Sequence, residues 1–180
     1  QDLDQCVARR KIYIGRNLTR GLGTGMNPDL GRQAAEENRS DIAEALEGAD
    51  LVFIAAGLGG GTGTGASPIV AEVAKQIGAL ALAFVTKPFT FEGSQRSRIA
   101  QEGLIKLKDK VDALVVVPND RIFNIISKET PIIEAFEAID DVLKNALRGI
   151  VELIVTPGLI NVDFADVRSV VQDAGSAIVG

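Results

Sequence analysis

The 180-residue sequence contains no histidine, no tryptophan and a single cysteine, Cys6. The absence of histidine excludes Ser-His-Asp and Cys-His catalytic centres and every metal site that uses a histidine ligand. One cysteine excludes an internal disulfide framework and a Cys-x-x-Cys zinc site, which indicates a reducing compartment. No apolar run is long enough to cross a bilayer, and no signal peptide opens the chain. We therefore expect a cytoplasmic protein that is not inserted into a membrane.

Basic residues are also in short supply. The chain has 19 Lys and Arg against 24 Asp and Glu, which gives a formal net charge of -5. Nonspecific binding of nucleic acid needs a basic surface, so this balance argues against a nucleic-acid partner. The apolar fraction of 46% indicates a folded chain, and the length suits one ordinary domain. The 19 glycines are clustered, and these clusters are the most informative feature of the sequence.

Short apolar runs alternate with helical patterns, as is typical of β-α-β units and a mostly parallel sheet. The apolar runs predict strands over residues 51–56, 79–86 and 113–117, with a weaker candidate over 12–14. Apolar residues at helical spacing predict helices over residues 28–48, 66–77 and 94–110, and a short one after residue 166. A pattern over residues 131–153 predicts a helix about 35 Å long. The expected fold is α/β with three layers, in which a mostly parallel sheet lies between two layers of helices.

The densest glycine cluster, GLGGGTGTG, lies between a predicted buried strand and a predicted helix. Such a junction exposes backbone N–H groups at a helix N-terminus, where the helix dipole favours an anion. Glycines also let phosphate oxygens approach the backbone, and threonine hydroxyls add donors. Phosphate binding is the function that this pattern favours, and a tight turn without a ligand is the alternative. The candidate residues are Gly59, Gly60, Gly61, Thr62, Gly63 and Thr64.

Two common kinds of phosphate loop fit this cluster poorly. A Walker A loop requires a Gly-Lys pair, and the chain contains none. A dinucleotide-binding fingerprint matches loosely at Gly61, Gly63 and Ala66. That fingerprint requires an acidic residue about 20 positions later to hold a ribose, where this chain has Thr86 and Lys87. A nicotinamide-dependent oxidoreductase is therefore disfavoured.

Glu92 and Arg96 follow the next predicted strand at a spacing of four residues. They could form a simple surface ion pair at the start of a helix. Their position also favours a role in a site, because ligands of parallel sheets bind beyond the carboxyl ends of the strands. Three segments follow three successive strands: residues 57–65, residues 87–96 and the pair Asn119-Asp120. We expect all three to open on the same edge of the sheet.

The segment NVDFAD contains Asn161, Asp163 and Asp166. Asparagine and aspartate are preferred at helix N-termini, so these residues could cap a helix. Two carboxylates three residues apart could instead position and polarise a water molecule for attack on a phosphate. The spacing alone does not decide between these interpretations.

Five motifs in this order resemble the FtsZ family, the bacterial tubulin-like GTPases of cell division. They are TRGLGTGMNP (19–28), GGGTGTG (59–65), TKPFTFEG (86–93), PNDR (118–121) and PGLINVDFADV (157–167), and the resemblance covers essentially the whole chain. It implies a Rossmann-like GTPase sheet of the tubulin/FtsZ type, followed by a long central helix. It further implies an assembly-dependent GTPase that forms cytoskeletal filaments at the division site. The alternative within the family is a paralogue that binds nucleotide without hydrolysing it and has a structural or regulatory role.

The resemblance also implies roles for individual residues around GTP or GDP. It matches the glycine loop, with Thr24 and Gly25 of a second loop, to the phosphates, and Glu92 and Arg96 to the ribose and a neighbouring phosphate. It matches three residues to the guanine side, with an aromatic ring packed on the base: Asn119, Asp140 and Phe136. Phosphoryl transfer implies Mg²⁺, for which the sequence offers no identifiable protein ligand.

In the family that the chain resembles, the segment matching Asn161, Asp163 and Asp166 completes the active site of the next subunit. This implies a head-to-tail homopolymer whose contacts do not close into a ring. We divide the chain into an incomplete GTP-binding domain (1–128), a central helix (129–156) and a catalytic loop with the start of the next helix (157–180).

The resemblance further implies early strands and a C-terminal domain that this sequence lacks. In the family, a C-terminal segment recruits membrane tethers and division regulators. A sheet without its central strands would expose unpaired backbone edges, so we expect residues 1–180 not to fold stably alone.

Overall fold

The computed structural model describes residues 2–127, 129–155 and 176–178. Seven α-helices and four strands are assigned within this part of the chain. In chain order they are α1 (Asp2–Gln5), α2 (Arg16–Thr19), α3 (Pro28–Glu37), α4 (Arg39–Leu46), β1 (Leu51–Gly57), α5 (Thr62–Gln76), β2 (Leu80–Lys87), α6 (Ser94–Lys108), β3 (Ala113–Pro118), α7 (Ile132–Val155) and β4 (Ser176–Ile178). Short 3₁₀ turns cover Thr90–Glu92 and Asn119–Asn124.

The strands form one parallel sheet in the order β1-β2-β3-β4. Gly57 pairs with Thr86, and Thr86 pairs with Val117, so the first three strands end at one level. This confirms the predicted parallel α/β fold and the common edge for the loops that follow the strands. The three-residue strand β4 was not predicted from the sequence.

The side chains of β2 divide the core into two layers. Ala81, Ala83 and Val85 lie in a buried cluster with residues of α5 and α6. Leu80, Leu82 and Phe84 face the other way and pack with residues of α7. This alternation is what strand geometry requires, and both faces are apolar because helices cover each of them. The result is the three-layer arrangement that the sequence predicted.

Asn38 divides the helix predicted over residues 28–48 into α3 and α4. Its side-chain oxygen accepts a hydrogen bond from the backbone N–H of Gly15 at 3.0 Å, and its amide donates to Asp41 at 2.8 Å. An asparagine bonded in this way competes with the helical hydrogen bonds. The strand predicted over residues 12–14 is also wrong. Ile12 and Ile14 form no strand and instead pack, half-buried, against a cluster of helical side chains.

Helix α5 begins at Thr62, four residues earlier than predicted, so the second half of the glycine cluster is helical. Helix α7 has 24 residues and a length of about 36 Å, which carries it along the whole sheet. Among the described residues, no helix combines the length and apolar composition needed to cross a bilayer. The short helix predicted after residue 166 lies outside the described residues.

Candidate functional site

A cavity of about 470 Å³ opens at the edge of the sheet where β1, β2 and β3 end. Its volume lies within the range of about 300–1,000 Å³ that is typical of ligand pockets. The strand ends, the loops after them and helix α7 line it: Ala55, Ala56, Gly57, Leu58, Gly60, Thr86, Pro88, Glu92, Arg96, Asn119, Phe136, Ile139, Asp140 and Leu143. Six residues singled out from the sequence meet here: Gly60, Glu92, Arg96, Asn119, Phe136 and Asp140.

The glycine loop connects the end of β1 to the first turn of α5. Gly59 has φ +107°, a conformation that a residue with a Cβ rarely adopts, so glycine is required at this turn. Its backbone N–H donates to the hydroxyl oxygen of Thr64 at 2.9 Å. The residue preceding α5 is Gly61, which has no side chain to cap the helix. The first-turn N–H groups of α5 are therefore suited to an anion.

A second loop, around Thr24 and Gly25, is packed against the glycine loop. The backbone N–H of Gly61 donates to the carbonyl oxygen of Gly25 at 2.8 Å, and the hydroxyls of Thr24 and Thr62 are 3.0 Å apart. Neither Thr24 nor Gly25 lines the cavity as the described residues form it. The same is true of Gly59, Gly61, Thr62, Gly63 and Thr64, so Gly60 is the one predicted phosphate residue that lines the cavity formed by the described residues.

Glu92 and Arg96 form the ion pair that their spacing allows, and both also line the cavity. The Arg96 guanidinium donates to Oε2 of Glu92 at 2.8 Å. The other carboxylate oxygen accepts from the backbone N–H of Phe89 at 2.8 Å, which fixes the loop after β2. Because the side chain of Glu92 is largely buried and that of Arg96 is about half exposed, the guanidinium is the more accessible group.

Asn119 carries a buried acceptor without a partner. The residue is 5% exposed, lines the cavity, and its Oδ1 atom has no hydrogen-bond partner among the described residues. Leaving a buried polar atom unpaired costs about 1–3 kcal/mol, so such an atom needs an explanation. A hydrogen-bond donor on a molecule bound in the cavity would provide one.

Helix α7 supplies one wall of the cavity through residues spaced three and four apart. Phe136 and Asp140 were predicted from the sequence, and Ile139 and Leu143 lie on the same face. The ring of Phe136 is 41% exposed and meets the buried ring of Phe89 edge to face, with centroids 5.2 Å apart. Phe136 is thus held by contact with a buried ring, while much of the residue stays accessible.

Several residues of the site were missed at the level of sequence. Ile139 and Leu143 could have been found from their helical spacing to Phe136, whereas Leu58 and Pro88 lie in the loop segments expected at this edge but were not singled out. Asp120 was also missed as a link between loops. Its carboxylate accepts from the backbone N–H of Thr90 at 3.0 Å and from the Thr90 hydroxyl, which joins the loops after β2 and β3.

The predicted catalytic residues Asn161, Asp163 and Asp166 lie outside the described residues. The helix before them, α7, ends at Val155, far from the cavity, and β4 after them begins beside Leu114 near the opposite end of β3. Within the described part of the chain, no group of three or more Asp, Glu and Cys side chains could hold a metal ion.

Sequence comparison gives consistent matches. The protein-family model described as "Tubulin/FtsZ family, GTPase domain" matches residues 1–127. The "Cell division protein FtsZ" of Buchnera aphidicola subsp. Acyrthosiphon pisum (strain APS) is 51% identical over 180 residues, which is 100% of this chain and 47% of that protein.

Structural comparison points the same way. The structure "FtsZ dimer, empty (M. jannaschii)" superposes with a TM-score of 0.92 and 52% identity, over 98% of this chain and 51% of that chain. "CetZ2 from Haloferax volcanii - GTPgS bound protofilament" superposes with a TM-score of 0.78 and 26% identity, over 98% of this chain and 52% of that chain. The chain therefore spans about half the length of the relatives that it matches.

Proposed function

Because the chain belongs to the Tubulin/FtsZ family, matching its GTPase domain over residues 1–127, we propose that the protein binds GTP and GDP in the cavity at the carboxyl edge of the sheet. The observation that carries this proposal is the unpaired Oδ1 of Asn119, a buried acceptor in a cavity that is bordered by the glycine loop leading into helix α5. A nucleotide would supply a donor for the acceptor and an anion for the helix.

The phosphates would lie against the glycine loop. Gly60 lines the cavity, and helix α5 begins two residues later. The free N–H groups of its first turn therefore lie at the helix end next to the glycine loop. The Arg96 guanidinium, half exposed at the cavity wall, would add positive charge near a phosphate. The proposed contribution of Thr24 and Gly25 is to hold the glycine loop from its other side and to complete the phosphate site.

The base would lie between α7 and the end of β3. Guanine presents two adjacent donors, N1–H and the amine at C2, on the edge that pairs in nucleic acid, whereas adenine has an unprotonated N1 and no amine at C2. Asn119 Oδ1 and the carboxylate of Asp140 are acceptors in the cavity wall, so they suit guanine. Phe136 would pack on the face of the base, and Glu92 would bind the ribose.

Mg²⁺ would accompany the phosphates, as phosphoryl transfer generally requires. The described residues offer no acidic cluster that could hold it. Magnesium is commonly held by phosphate oxygens and water with few protein ligands, and that arrangement suits this site best. We assign no catalytic step to a protein-bound metal.

We place hydrolysis between subunits. From Leu143, which lines the cavity, to Val155, helix α7 extends about 18 Å, and residues 161–166 follow that end of the helix in the sequence. Asp163 and Asp166 of one subunit, with Asn161, would polarise a water molecule at the nucleotide of the next. The water attacks the terminal phosphorus, the bond to the bridging oxygen breaks, and GDP and phosphate are released.

Such catalysis between subunits requires a head-to-tail homopolymer. The matched structures described as an FtsZ dimer and a CetZ2 protofilament support self-association as a property of relatives. We propose that the whole protein forms cytoplasmic filaments at the division site. Membrane tethers and division regulators would bind it through a C-terminal segment.

The test is GTP turnover by the full-length protein as a function of its concentration. We expect turnover per subunit to rise steeply with concentration, and Asp163→Ala or Asp166→Ala to abolish it while GTP binding is retained. Asp141→Ala is the matched control, because Asp141 lies on the exposed face of α7 and pairs with Lys144. Loss of GTP binding in the Asp163 or Asp166 variant would contradict catalysis in trans. Assembled wild-type protein that never releases phosphate would favour a non-hydrolysing paralogue.

A further inference from the structure

Thr64 controls the shape of the glycine loop without lining the cavity. The residue is 3% exposed, and its hydroxyl oxygen accepts the hydrogen bond from the backbone N–H of Gly59. Gly59 lies between Leu58 and Gly60, both of which line the cavity. The orientation of the Thr64 side chain therefore fixes the backbone that would meet a phosphate.

The methyl group of the same side chain rests against Gly103 on helix α6. A Cβ atom added at Gly103 would overlap Thr64 Cγ2, whereas it would lie 3.4 Å from Thr64 Cβ, at an acceptable contact distance. The hydroxyl and the methyl group of threonine are bonded to the same carbon. A rotation that moves the methyl group away from position 103 therefore also moves the hydroxyl. A side chain at position 103 would thus release the Gly59 N–H.

Glycine at position 103 is otherwise unfavourable. Gly103 lies inside the 15-residue helix α6, where alanine would stabilise the helix by roughly 1 kcal/mol relative to glycine. The contact with Thr64 is the structural reason for glycine here. A cavity of about 170 Å³ borders both residues, with Pro68, Ile69 and Ile99 among its walls. A displaced Thr64 side chain therefore has room to rotate without unfolding the helices.

We infer that Gly103 is a positioning residue for nucleotide binding, which acts through Thr64 on the backbone of Gly59. The inference rests on the proposed function, because it assumes that the glycine loop binds the phosphates of GTP or GDP. Gly103 does not line the nucleotide cavity, so its effect is transmitted through one side chain.

The experiment is a double-mutant cycle in the full-length protein. Gly103→Ala should weaken GDP binding about three- to tenfold, the range expected for one lost hydrogen bond, and should speed amide exchange at Gly59. Thr64→Val keeps the methyl group and replaces the hydroxyl by a second methyl group. It should also weaken GDP binding and speed amide exchange at Gly59. Thr64→Ser removes the methyl that would clash, so the double variant Gly103→Ala/Thr64→Ser should bind GDP within about twofold of the wild type.

Gly149→Ala is the matched control, since Gly149 also lies inside a helix and an added Cβ there meets nothing within 4 Å. Amide exchange at Gly59 is measured by NMR in the nucleotide-free protein, so it reports the steric link independently of binding. Unchanged Gly59 exchange in Gly103→Ala, or failure of Thr64→Ser to restore binding, would overturn the inference. A wild-type protein that binds no GDP would overturn the proposed function and with it the assigned role, whatever the exchange data show.

Discussion

The hydroxyl oxygens of Thr24 and Thr62 lie 3.0 Å apart, although the two residues are 38 positions apart in the sequence. Next to them, the backbone N–H of Gly61 donates to the carbonyl oxygen of Gly25. The glycine loop is therefore held from one side by a second loop and from the other by Thr64. If the glycine loop binds phosphate as proposed, that site is ordered before its ligand arrives, which lowers the entropic cost of binding.

Thr24→Val tests the support from the second loop. Valine keeps the shape of the buried threonine and removes the hydroxyl, so the link to Thr62 is lost. We expect GDP affinity to fall about three- to tenfold, as measured by calorimetry. Thr19→Val is the control, because the Thr19 hydroxyl bonds the carbonyl of Gly15 and does not line the cavity. Equal losses in both variants would argue against a specific role for Thr24.

Asn119→Leu tests the unpaired acceptor. Leucine keeps the branched shape of the side chain and removes Oδ1, so GTP and GDP binding should weaken about ten- to a hundredfold. The same change removes a buried polar atom that has no partner among the described residues, so the melting temperature of the nucleotide-free protein should not fall. Undiminished binding measured for Asn119→Leu would show that this oxygen does not contact the nucleotide.

Glu72→Gln tests an ion-pair network outside the cavity. A hydrogen bond from the Lys110 ammonium at 2.9 Å, with help from Arg39, lowers the pKa of the Glu72 carboxyl below its ordinary value of 4.5. A carboxyl whose pKa is lower in the folded state stabilises the fold above its unfolded pKa, and this is lost as pH falls through the folded pKa.

Glu72→Gln should therefore lower the melting temperature at pH 7, and the difference from the wild type should shrink as the pH falls below the ordinary carboxyl pKa of 4.5 and through the lower folded pKa. The pKa of Lys110 is raised by the same partner, so no loss is expected between pH 6 and 9. Glu102→Gln is the control, because its pair with Arg98 is exposed and 3.9 Å long. A difference that does not shrink as the pH falls below the ordinary carboxyl pKa would contradict the assigned role of the carboxylate.

The site was predictable where the hydrophobic pattern of the sequence, combined with the geometry of a parallel sheet, decides which residues come together. The apolar runs located three strands of a parallel sheet, and parallel strands bring the loops at their carboxyl ends to one edge. Glu92 and Asn119 could therefore be assigned to one cavity although 26 residues separate them along the sequence, since each follows a predicted strand.

Contacts between distant segments were not predictable in the same way. The interruption at Asn38 depends on the backbone N–H of Gly15, 23 positions away, and the sequence around Asn38 reads as a continuous helix. Gly103 likewise looks like an unfavourable residue in a helix until the methyl group of Thr64 is found against it. Tertiary packing decides both cases, and a single sequence does not record which segments meet.

The two faces of β2 leave different freedom for evolutionary change. On one face, Ala81 and Ala83 are fully buried against the layer that carries the glycine loop, and a methyl group has no alternative rotamer through which a larger neighbour could be accommodated. On the other face, Leu82 and Phe84 meet aliphatic residues of α7, where volume-conserving exchanges are tolerated well. Over long divergence, the packing under α7 should drift through compensating substitutions, while the alanine face should stay small and keep the glycine loop at a constant distance from the sheet.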